Sequence, residues 1–388
     1  MNDYRPDYFL LHEGLADIDL IAVSNVLSGK GGPFSAAIFV LVKDEGGVYK
    51  VHHQLPVAAN AVLSLGRASA HAEDQALRPH ILRETEAVLE KIKTDFRAPA
   101  TRLLFLSSAQ PCMACFSKIA ICARSFVSRG LLQPRHFDLV YGATYADTES
   151  IAGFKDYGYA LDFVKAAQNR FDPSLLVRLE TAMVEGVPEN VLAPLFAGKA
   201  PRAVLVQSGA IISVGEDRRG AAGLFATAEC TALHNASADL LKRRAPKPWD
   251  LGGATLYVRT QDLDPLTYAE GQWANIGKIV TVLPPDNGIA YAQTQVAPDC
   301  HNGALFATIA DGYNNPKSSV AVYCDGTFEN RAQNTWASKL DRKMYNGSEA
   351  ESAFTQKNCA AFDALFRPCF LYAPAATGVS PALAKRAS

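Results

Sequence analysis

Two short stretches of sequence decide the fold: residues 69–73, Ser-Ala-His-Ala-Glu, and residues 111–115, Pro-Cys-Met-Ala-Cys. Each stands at the start of a helical pattern. Apolar residues recur at helical spacing over about 71–95, where Pro79 interrupts the first turns, and a second helix is predicted over 113–128. The spacing therefore places both stretches at helix N-termini.

The residue types at these helix starts indicate a metal site. Cys112 and Cys115 are separated by two residues, so one turn brings both sulfurs to one cation, and the free N–H groups there favour thiolate. His71, at the other helix start, completes a set of three ligands. Three protein ligands leave one position of a tetrahedral zinc ion open for water, as a hydrolytic site requires.

Glu73 follows His71 by two residues and can approach that open position without binding the metal. There it can take a proton from water whose pKa zinc has lowered, and return it to a ring nitrogen and to a departing amine. A redox pair or a structural zinc half-site are alternative interpretations of the cysteine pair. Neither explains the His-Ala-Glu segment, and the sequence holds no second C-x-x-C.

Around the motifs, the chain alternates strands and helices. Residues 34–51 predict a hairpin around a Gly-Gly pair, Leu103–Leu106 a buried strand and Phe137–Tyr141 another strand. Helical patterns return at 157–169 and 173–185. Alternation of this kind indicates a three-layer α/β/α domain.

The pattern restarts after residues 186–201, a Pro- and Gly-rich segment interpreted as a linker. Residues 226–233, ATAECTAL, match residues 70–77, AHAEDQAL, at five of eight positions, which indicates an internal duplication. The sequence thus predicts two α/β/α units in tandem. The predicted division is a catalytic domain at 1–195, a second unit at 196–375 and a flexible tail at 376–388. Within the second unit, we predict strands at 202–206, 210–214 and 254–258 and helices at 226–241 and 269–276.

The second unit lacks the metal ligands. Thr227 stands at the position of His71, although Glu229 corresponds to Glu73, and residues 265–269, the counterpart of the cysteine segment, contain no sulfur. We therefore expect a degenerate pseudo-domain that binds no metal. It is expected to act as a built-in partner, giving an intramolecular pseudo-dimer, with homodimerisation also open.

The order H-x-E followed by P-C-x-x-C is the signature of zinc nucleobase deaminases. The first half resembles the zinc-dependent cytidine deaminase-like superfamily, and within it the branch of guanine deaminases and related purine-base and tRNA adenosine deaminases. The resemblance covers about residues 14–165. Besides the two motifs, it rests on Gly31-Gly32-Pro33-Phe34, on Gly142-Ala143-Thr144 and on the run from Asp147 to Asp156.

The resemblance also implies substrate-binding residues. Asn60, eleven residues before His71, occupies the place where this branch has an Asn that hydrogen-bonds the base. The resemblance further assigns Phe34 to the ring face, Asp147 to the surroundings of the purine and Ala72 to the substrate side of the helix start. A local turn bond for Asn60, a core position for Phe34 and helix capping by Asp147 are the alternatives.

Departures from the branch leave the natural base open. Gln110 stands where the family usually has Glu, and Lys155 replaces the first Asp of its G-F-D-D run. Residues 67–69, Arg-Ala-Ser, replace the common Asp-Pro-Thr. The zinc ligands and Glu73 are intact.

Composition excludes several classes of function. The 388 residues carry 38 Lys and Arg against 39 Asp and Glu, without the basic excess that nucleic-acid binding uses. The N-terminus lacks a secretory signal and no run of about 18 apolar residues could span a membrane. We therefore expect a cytoplasmic protein with no membrane partner, and a small molecule is favoured over nucleic acid as the substrate.

Together these features predict a zinc-dependent aminohydrolase that deaminates a nucleobase or nucleoside, with a guanine-like purine favoured. Hydroxide attacks the carbon that bears the amine, Glu73 shuttles the protons, and ammonia leaves. The alternatives are a tRNA adenosine deaminase, and a zinc-stabilised scaffold or regulatory protein without catalysis.

Overall fold

The structure is a computed structural model. It describes residues 18, 21, 25, 34–95, 101–109, 111–134, 136–143, 178–198, 200–259, 265–283 and 320–324. The predicted helix at 157–169, the tail and Asp147 lie outside these residues.

The described elements alternate between strands and helices along the chain. Those up to residue 183 are β1 (Ser35–Lys43), β2 (Tyr49–Gln54), β3 (Ala58–Ala59), α1 (Val62–Leu65), α2 (Ala72–Ala76), α3 (Pro79–Asp95), β4 (Thr101–Ala109), α4 (Met113–Ser128), β5 (Phe137–Ala143) and β6 (Arg178–Met183). Those after it are a 3-10 turn (Val184–Gly186), α5 (Glu189–Leu195), β7 (Arg202–Gln207), β8 (Ala210–Glu216), α6 (Arg219–Ala222), α7 (Ala228–Lys242), β9 (Thr255–Val258), α8 (Pro265–Trp273), β10 (Lys278–Leu283) and β11 (Val320–Cys324).

The first sheet is built around the predicted hairpin. Strand β1 pairs antiparallel with β2 on one side and with β4 on the other. The turn between β1 and β2 holds Gly47 at a φ of 83°, a left-handed conformation that favours glycine. The side chain of Asp44 closes the turn by accepting a hydrogen bond from the backbone N–H of Val48. Parallel pairs of β4 with β5 and of β5 with β11 complete the order β11-β5-β4-β1-β2, with the short β3 paired to β1.

Both faces of this sheet are covered. Residues Ser35–Leu41 of β1 are all buried, as are Leu103–Leu106 of β4. Because successive side chains of a strand point to opposite faces, continuous burial requires packing layers on both sides. The structure is therefore of the mixed α/β class that the sequence predicts.

A second sheet has the order β6-β10-β9-β7-β8. Strand β7 pairs antiparallel with β8 and β9, whereas β9 with β10 and β10 with β6 are parallel. In each sheet, an antiparallel hairpin lies at one end. The next strand runs antiparallel to the first strand of the hairpin, and two further strands continue the sheet parallel to that next strand. Strand order and strand direction are the same in the two sheets.

The outermost parallel strand of each sheet comes from the other half of the chain. Strand β6 precedes the 186–201 segment, yet pairs along its whole length with β10. Strand β11 lies far along the second half, yet pairs with β5 of the first sheet. The two halves are therefore connected by exchanged strands as well as by the chain itself, and the predicted division at residues 195 and 196 stays a prediction.

The hydrophobic core is shared as well. One cluster of buried side chains includes Ile38 and Phe105 of the first sheet together with Leu205 and Leu256 of the second. A smaller cluster lies under α5, where Val191 and Leu195 pack against β7 and β10. The shared cluster means that the two halves bury apolar surface against each other.

Three sequence-based assignments need correction. Residues 178–183 were expected to be part of a helix over 173–185 and form strand β6. The 186–201 segment contains helix α5, in which Pro194 lies. The helix expected at 269–276 instead begins at Pro265 and ends at Trp273, with proline at the position where a helix best accepts it.

No helix in the described ranges has the length and apolar character needed to cross a bilayer.

Candidate metal centre

His71 is held in place by the start of helix α2. It is the N-cap residue, with extended φ and ψ of −70° and 169°, and its carbonyl oxygen accepts the first helical hydrogen bond from Gln75 at 3.0 Å. An N-cap side chain commonly bonds the exposed N–H groups of the first turn. The imidazole of His71 makes no such cap bond and is directed to the cysteines instead.

Cys112 has the same role at helix α4. It is the N-cap residue, with φ and ψ of −66° and 171°, and its carbonyl oxygen accepts from the N–H of Phe116 at 2.8 Å. Cys115 lies within the first turn of α4, so that its sulfur lies on the same side of the helix end. Two helix N-termini, those of α2 and α4, thus present the three predicted ligands to one another.

The three ligand atoms form one compact group. The Nδ1 atom of His71 lies 3.4 Å from the sulfur of Cys112 and 3.5 Å from that of Cys115. All ligand atoms lie within 4.8 Å of one another, and the three residues are buried. Across the described ranges, this is the group of His, Cys, Asp and Glu side chains with the spacing of a metal site.

The electrostatics of the group suit a cation. Burial by itself raises the pKa of the Cys112 thiol, but the Cys115 hydrogen bond and the His71 charge outweigh it and hold that pKa well below its usual value. Burial and the neighbouring Cys112 thiolate instead raise the pKa of Cys115 well above its usual value. Burial lowers the pKa of His71, but the Cys112 thiolate raises it to about 9. Without a metal, only Cys112 is therefore readily deprotonated. Deprotonation of both sulfurs requires a cation between them, and an S₂N donor set is one that zinc prefers.

Glu73 lies in the first turn of α2, directly beside this group in sequence. It is 5% exposed, and the hydroxyl of Ser107 on strand β4 donates a hydrogen bond of 3.0 Å to its Oε1 atom. Burial raises the pKa of Glu73, against the opposing influence of His71. The carboxylate is thus buried, oriented by Ser107, and inclined to hold a proton more readily than an exposed glutamate.

Two of the predicted substrate residues lie side by side. The N–H of Asn60 donates to the carbonyl oxygen of Phe34 at 3.0 Å, and both residues are buried. The next residue, Ala61, donates to the carbonyl oxygen of Ala70, which directly precedes His71. Phe34 and Asn60 are therefore held on the strand ends next to the His71 segment. Ala72, the first residue of α2, is fully buried.

The side chain of Asn60 makes the local turn bond that was the alternative interpretation. Its Oδ1 atom accepts from the N–H of Val62 at 3.1 Å. Asn60 also lines a cavity of about 420 Å³, whose walls include Asn25, Gln75 and Arg78 and none of the three metal-ligating residues. The substrate-binding roles of Asn60, Phe34 and Ala72 stay predictions.

Sequence patterns did not indicate several side chains around the centre. Ser107, Lys118 and Trp273 contact Glu73, Asp74 and His71, respectively. Ser107 lies in β4 directly after the predicted run Leu103–Leu106. Lys118 follows Cys115 by three residues, so helical spacing was an available signal that the two lie on the same face of α4. Trp273 is far from the motifs along the chain, and nothing in local sequence indicates its contact.

The residues of the second half that the sequence aligns with His71 and Glu73 lie at the start of helix α7. Thr227, which the predicted duplication aligns with His71, is the N-cap of α7, and its side chain accepts a hydrogen bond from the N–H of Cys230. The hydroxyl is thus used for helix capping. Glu229, which the same prediction aligns with Glu73, is buried as Glu73 is.

Comparison with known proteins gives weak structural matches. No protein-family model matches the sequence, and no curated protein matches it. Among solved structures, the chain is similar to NE0047 in complex with 2,6-diaminopurine, at 22% identity over 38% of this chain and 65% of that one, with a TM-score of 0.24. It is also similar to guanine deaminase from Bacillus subtilis, at 24% identity over 40% of this chain and 73% of that one, again with a TM-score of 0.24. The chain thus spans slightly less than two thirds of the first of these structures, and TM-scores of this size do not establish a shared fold.

Proposed function

We propose that this chain is a zinc-dependent hydrolytic deaminase of a nucleobase or nucleoside, with a guanine-like purine favoured. One observation carries the proposal: His71, Cys112 and Cys115 converge within 4.8 Å while the helix turn that follows His71 carries the buried carboxylate of Glu73. The order of these residues along the chain is that of the zinc nucleobase deaminases.

His71, Cys112 and Cys115 would hold the zinc ion. When bound, zinc supplies a Lewis acid that makes water a nucleophile at neutral pH. Zinc prefers four ligands, so three protein ligands leave a position for water or substrate. A structural zinc site would instead use four protein ligands, which the group found in the described residues does not supply.

Glu73 would move the protons of the reaction. Ser107 fixes its orientation, and burial raises its pKa. A carboxyl group held in this position can accept a proton from water and donate it to a substrate atom. Glu73 would therefore take one proton from the attacking water and pass it to the ring nitrogen. It would then take the second proton from the resulting hydroxyl on the ring carbon and pass it to the amine, which leaves as ammonia as the C=O bond forms. A non-catalytic scaffold has no use for such a buried carboxylate beside a metal site.

Phe34 and Asn60 would bind the base, together with Ala72 and Asp147. The Oδ1 atom of Asn60 is bonded to Val62, so a base contact would use its Nδ2 donor. The O6 and N7 atoms of guanine are acceptors that suit such a donor. This match favours a guanine-like purine.

The second half would be a degenerate copy of the first. The support is the shared order and direction of strands and the replacement of His71 by the capping Thr227. The proposed architecture is therefore a three-layer α/β/α unit duplicated in tandem, with one metal centre.

The test is ammonia release by the purified protein over a panel of free bases, nucleosides and tRNA, with zinc content measured in parallel. Glu73→Gln is expected to keep its zinc and to lose at least about 100-fold in rate, the low end of what a general acid/base contributes. Glu229→Gln, which alters the buried counterpart in the second half, is the matched control and is expected to keep full activity.

A Glu73→Gln variant as active as the natural protein would overturn the role of Glu73. If the zinc-loaded protein releases no ammonia from any base or nucleoside, the result would support the scaffold alternative. Ammonia release from tRNA and from no other substrate would favour the alternative function, a tRNA adenosine deaminase.

A further inference from the structure

The metal centre is contacted by a helix of the second half. The ring of Trp273, the last residue of α8, meets the ring of His71 edge to face, with centroids 4.6 Å apart and an interplanar angle of 88°. Edge-to-face packing of this kind restricts the rotation of both rings. A predicted ligand of the first half is therefore packed against a side chain that the second half supplies.

Glu270, one helical turn earlier, connects the two segments that carry the ligands. Its Oε1 atom lies 2.6 Å from the ammonium of Lys118, which follows Cys115 by three residues on α4. Its Oε2 atom accepts a hydrogen bond from the hydroxyl of Ser69, two residues before His71. One carboxylate thus bridges the start of α2 and the start of α4.

This bridge is buried and specific. Glu270 is 3% exposed and Lys118 is 1% exposed, so water does not weaken the ion pair as it does at a surface. His234 of α7 adds a further contact, 3.2 Å from Oε2 of Glu270. The position of the bridge is therefore determined from both halves of the molecule.

Glu270 and Trp273 are three residues apart, so they lie on the same face of α8. One of them sets the separation of the two ligand-bearing segments, and the other packs against the His71 ring. Partners that hold metal ligands in this way determine ligand orientation, and their loss typically costs 10- to 100-fold in metal affinity.

We propose that helix α8 of the second half is the positioning element of the metal centre, with Glu270 and Trp273 as its positioning residues. The centre is then incomplete without the second half, which explains why a half without metal ligands is retained in the chain. The inference rests on the metal site of the proposed function and is independent of the substrate.

Trp273→Leu removes the ring and keeps a large apolar side chain, and Glu270→Gln removes the charge and keeps the shape. Zinc affinity is measured by competition with a chromophoric chelator, and ligand geometry by the visible absorption of the Co²⁺-substituted protein. Each variant is expected to bind zinc about 10- to 100-fold more weakly and to show a shifted or weakened Co²⁺ spectrum.

Trp249→Leu and Glu180→Gln are the matched controls. Trp249 is half-buried in the second half, as Trp273 is, and Glu180 pairs with Lys278 within the second sheet. Both are expected to bind Zn²⁺ and Co²⁺ as the natural protein does. A test variant that is only less stable would show a smaller folded fraction, while the Co²⁺ spectrum of that folded fraction would stay unchanged.

Natural zinc affinity together with a natural Co²⁺ spectrum in Trp273→Leu and Glu270→Gln would overturn this inference alone. If only one of these two variants folds, the measurements on that variant decide. If neither folds, Trp273→Phe, which keeps a smaller ring, is judged by the same two measurements. A natural protein that binds no Zn²⁺ would instead overturn the metal centre and the proposed function with it.

Discussion

Lys118 forms two buried ion pairs beside the candidate metal centre. Its ammonium lies 2.5 Å from Asp74 and 2.6 Å from Glu270, and all three groups are buried. Burial by itself lowers the pKa of Lys118, but the two carboxylates outweigh it and hold that pKa above its ordinary value. Arg67 adds a second cation to Asp74 at 2.7 Å. The ammonium therefore joins carboxylates of both halves in one charge-balanced group.

Lys118→Met is expected to lower the free energy of unfolding of the metal-free protein by about 3 to 5 kcal/mol, because Glu270 and Asp74 would then be buried with less compensating charge. Urea denaturation measures the change. Lys242→Met is the control, since Lys242 pairs with Asp239 on the surface of one helix, where such a pair contributes less than about 1 kcal/mol. Equal effects of the two substitutions would show that the buried ammonium does not stabilise the fold.

At the scale of single residues, spacing along the sequence was enough to predict which side chains come together at the candidate site. His71, Glu73, Cys112 and Cys115 stand at two helix starts, and helix geometry alone directs them inward. The contact of Trp273 with His71 was not predictable, because Trp273 reaches the site only through the packing of α8 on α4. No sequence rule specifies which helix of a second unit covers a given helix start.

Among the elements, helix α7 packs directly on strand β8 of the second sheet. Gly215 of β8 faces the helix so closely that a Cβ atom would overlap the carbonyl oxygen of Ala228 and the backbone nitrogen of Ala232. Both contacted atoms belong to the backbone, so no rotamer change relieves them. A glycine is thus required here by the approach of α7.

Gly215→Ala is expected to destabilise the protein by about 3 kcal/mol, at the upper end of the range for overpacking, because α7 must shift away from the sheet. Gly186→Ala, at an exposed position where nothing lies within 4 Å of the added Cβ, is expected to change stability by less than about 1 kcal/mol. Thermal unfolding followed by circular dichroism measures both. A Gly215→Ala protein as stable as Gly186→Ala would contradict the close packing of α7.

Element type was predictable wherever the period of the sequence was clear, as in β1, β4 and α4. It was not predictable for Arg178–Met183, which contains Leu, Glu, Ala and Met, residues that favour helices. This segment forms a strand because β10 offers a parallel partner along its whole length. Tertiary pairing has overridden local preference, which strands permit more readily than helices do.

For the whole molecule, the exchange of β6 and β11 makes each half depend on the other. A fragment that ends near residue 195 would keep β6 without its partner β10 and would leave β5 without β11. It would also expose the apolar side chains that the halves bury against each other. Unpaired strand edges and exposed core surface promote aggregation, so such a fragment expressed alone is expected to be insoluble.

A chain cut between the halves after folding should behave differently. A protease recognition sequence inserted after the exposed Gly198 allows cleavage of the native protein into residues 1–198 and 199–388. The two pieces are expected to elute together in size-exclusion chromatography and to separate only in denaturant, because β6 and β11 still pair across the cut. The natural protein treated with the same protease is the control for cleavage elsewhere. Pieces that separate in native buffer, or a soluble fragment of residues 1–198 that binds zinc as tightly as the whole chain, would show that the halves fold and function independently.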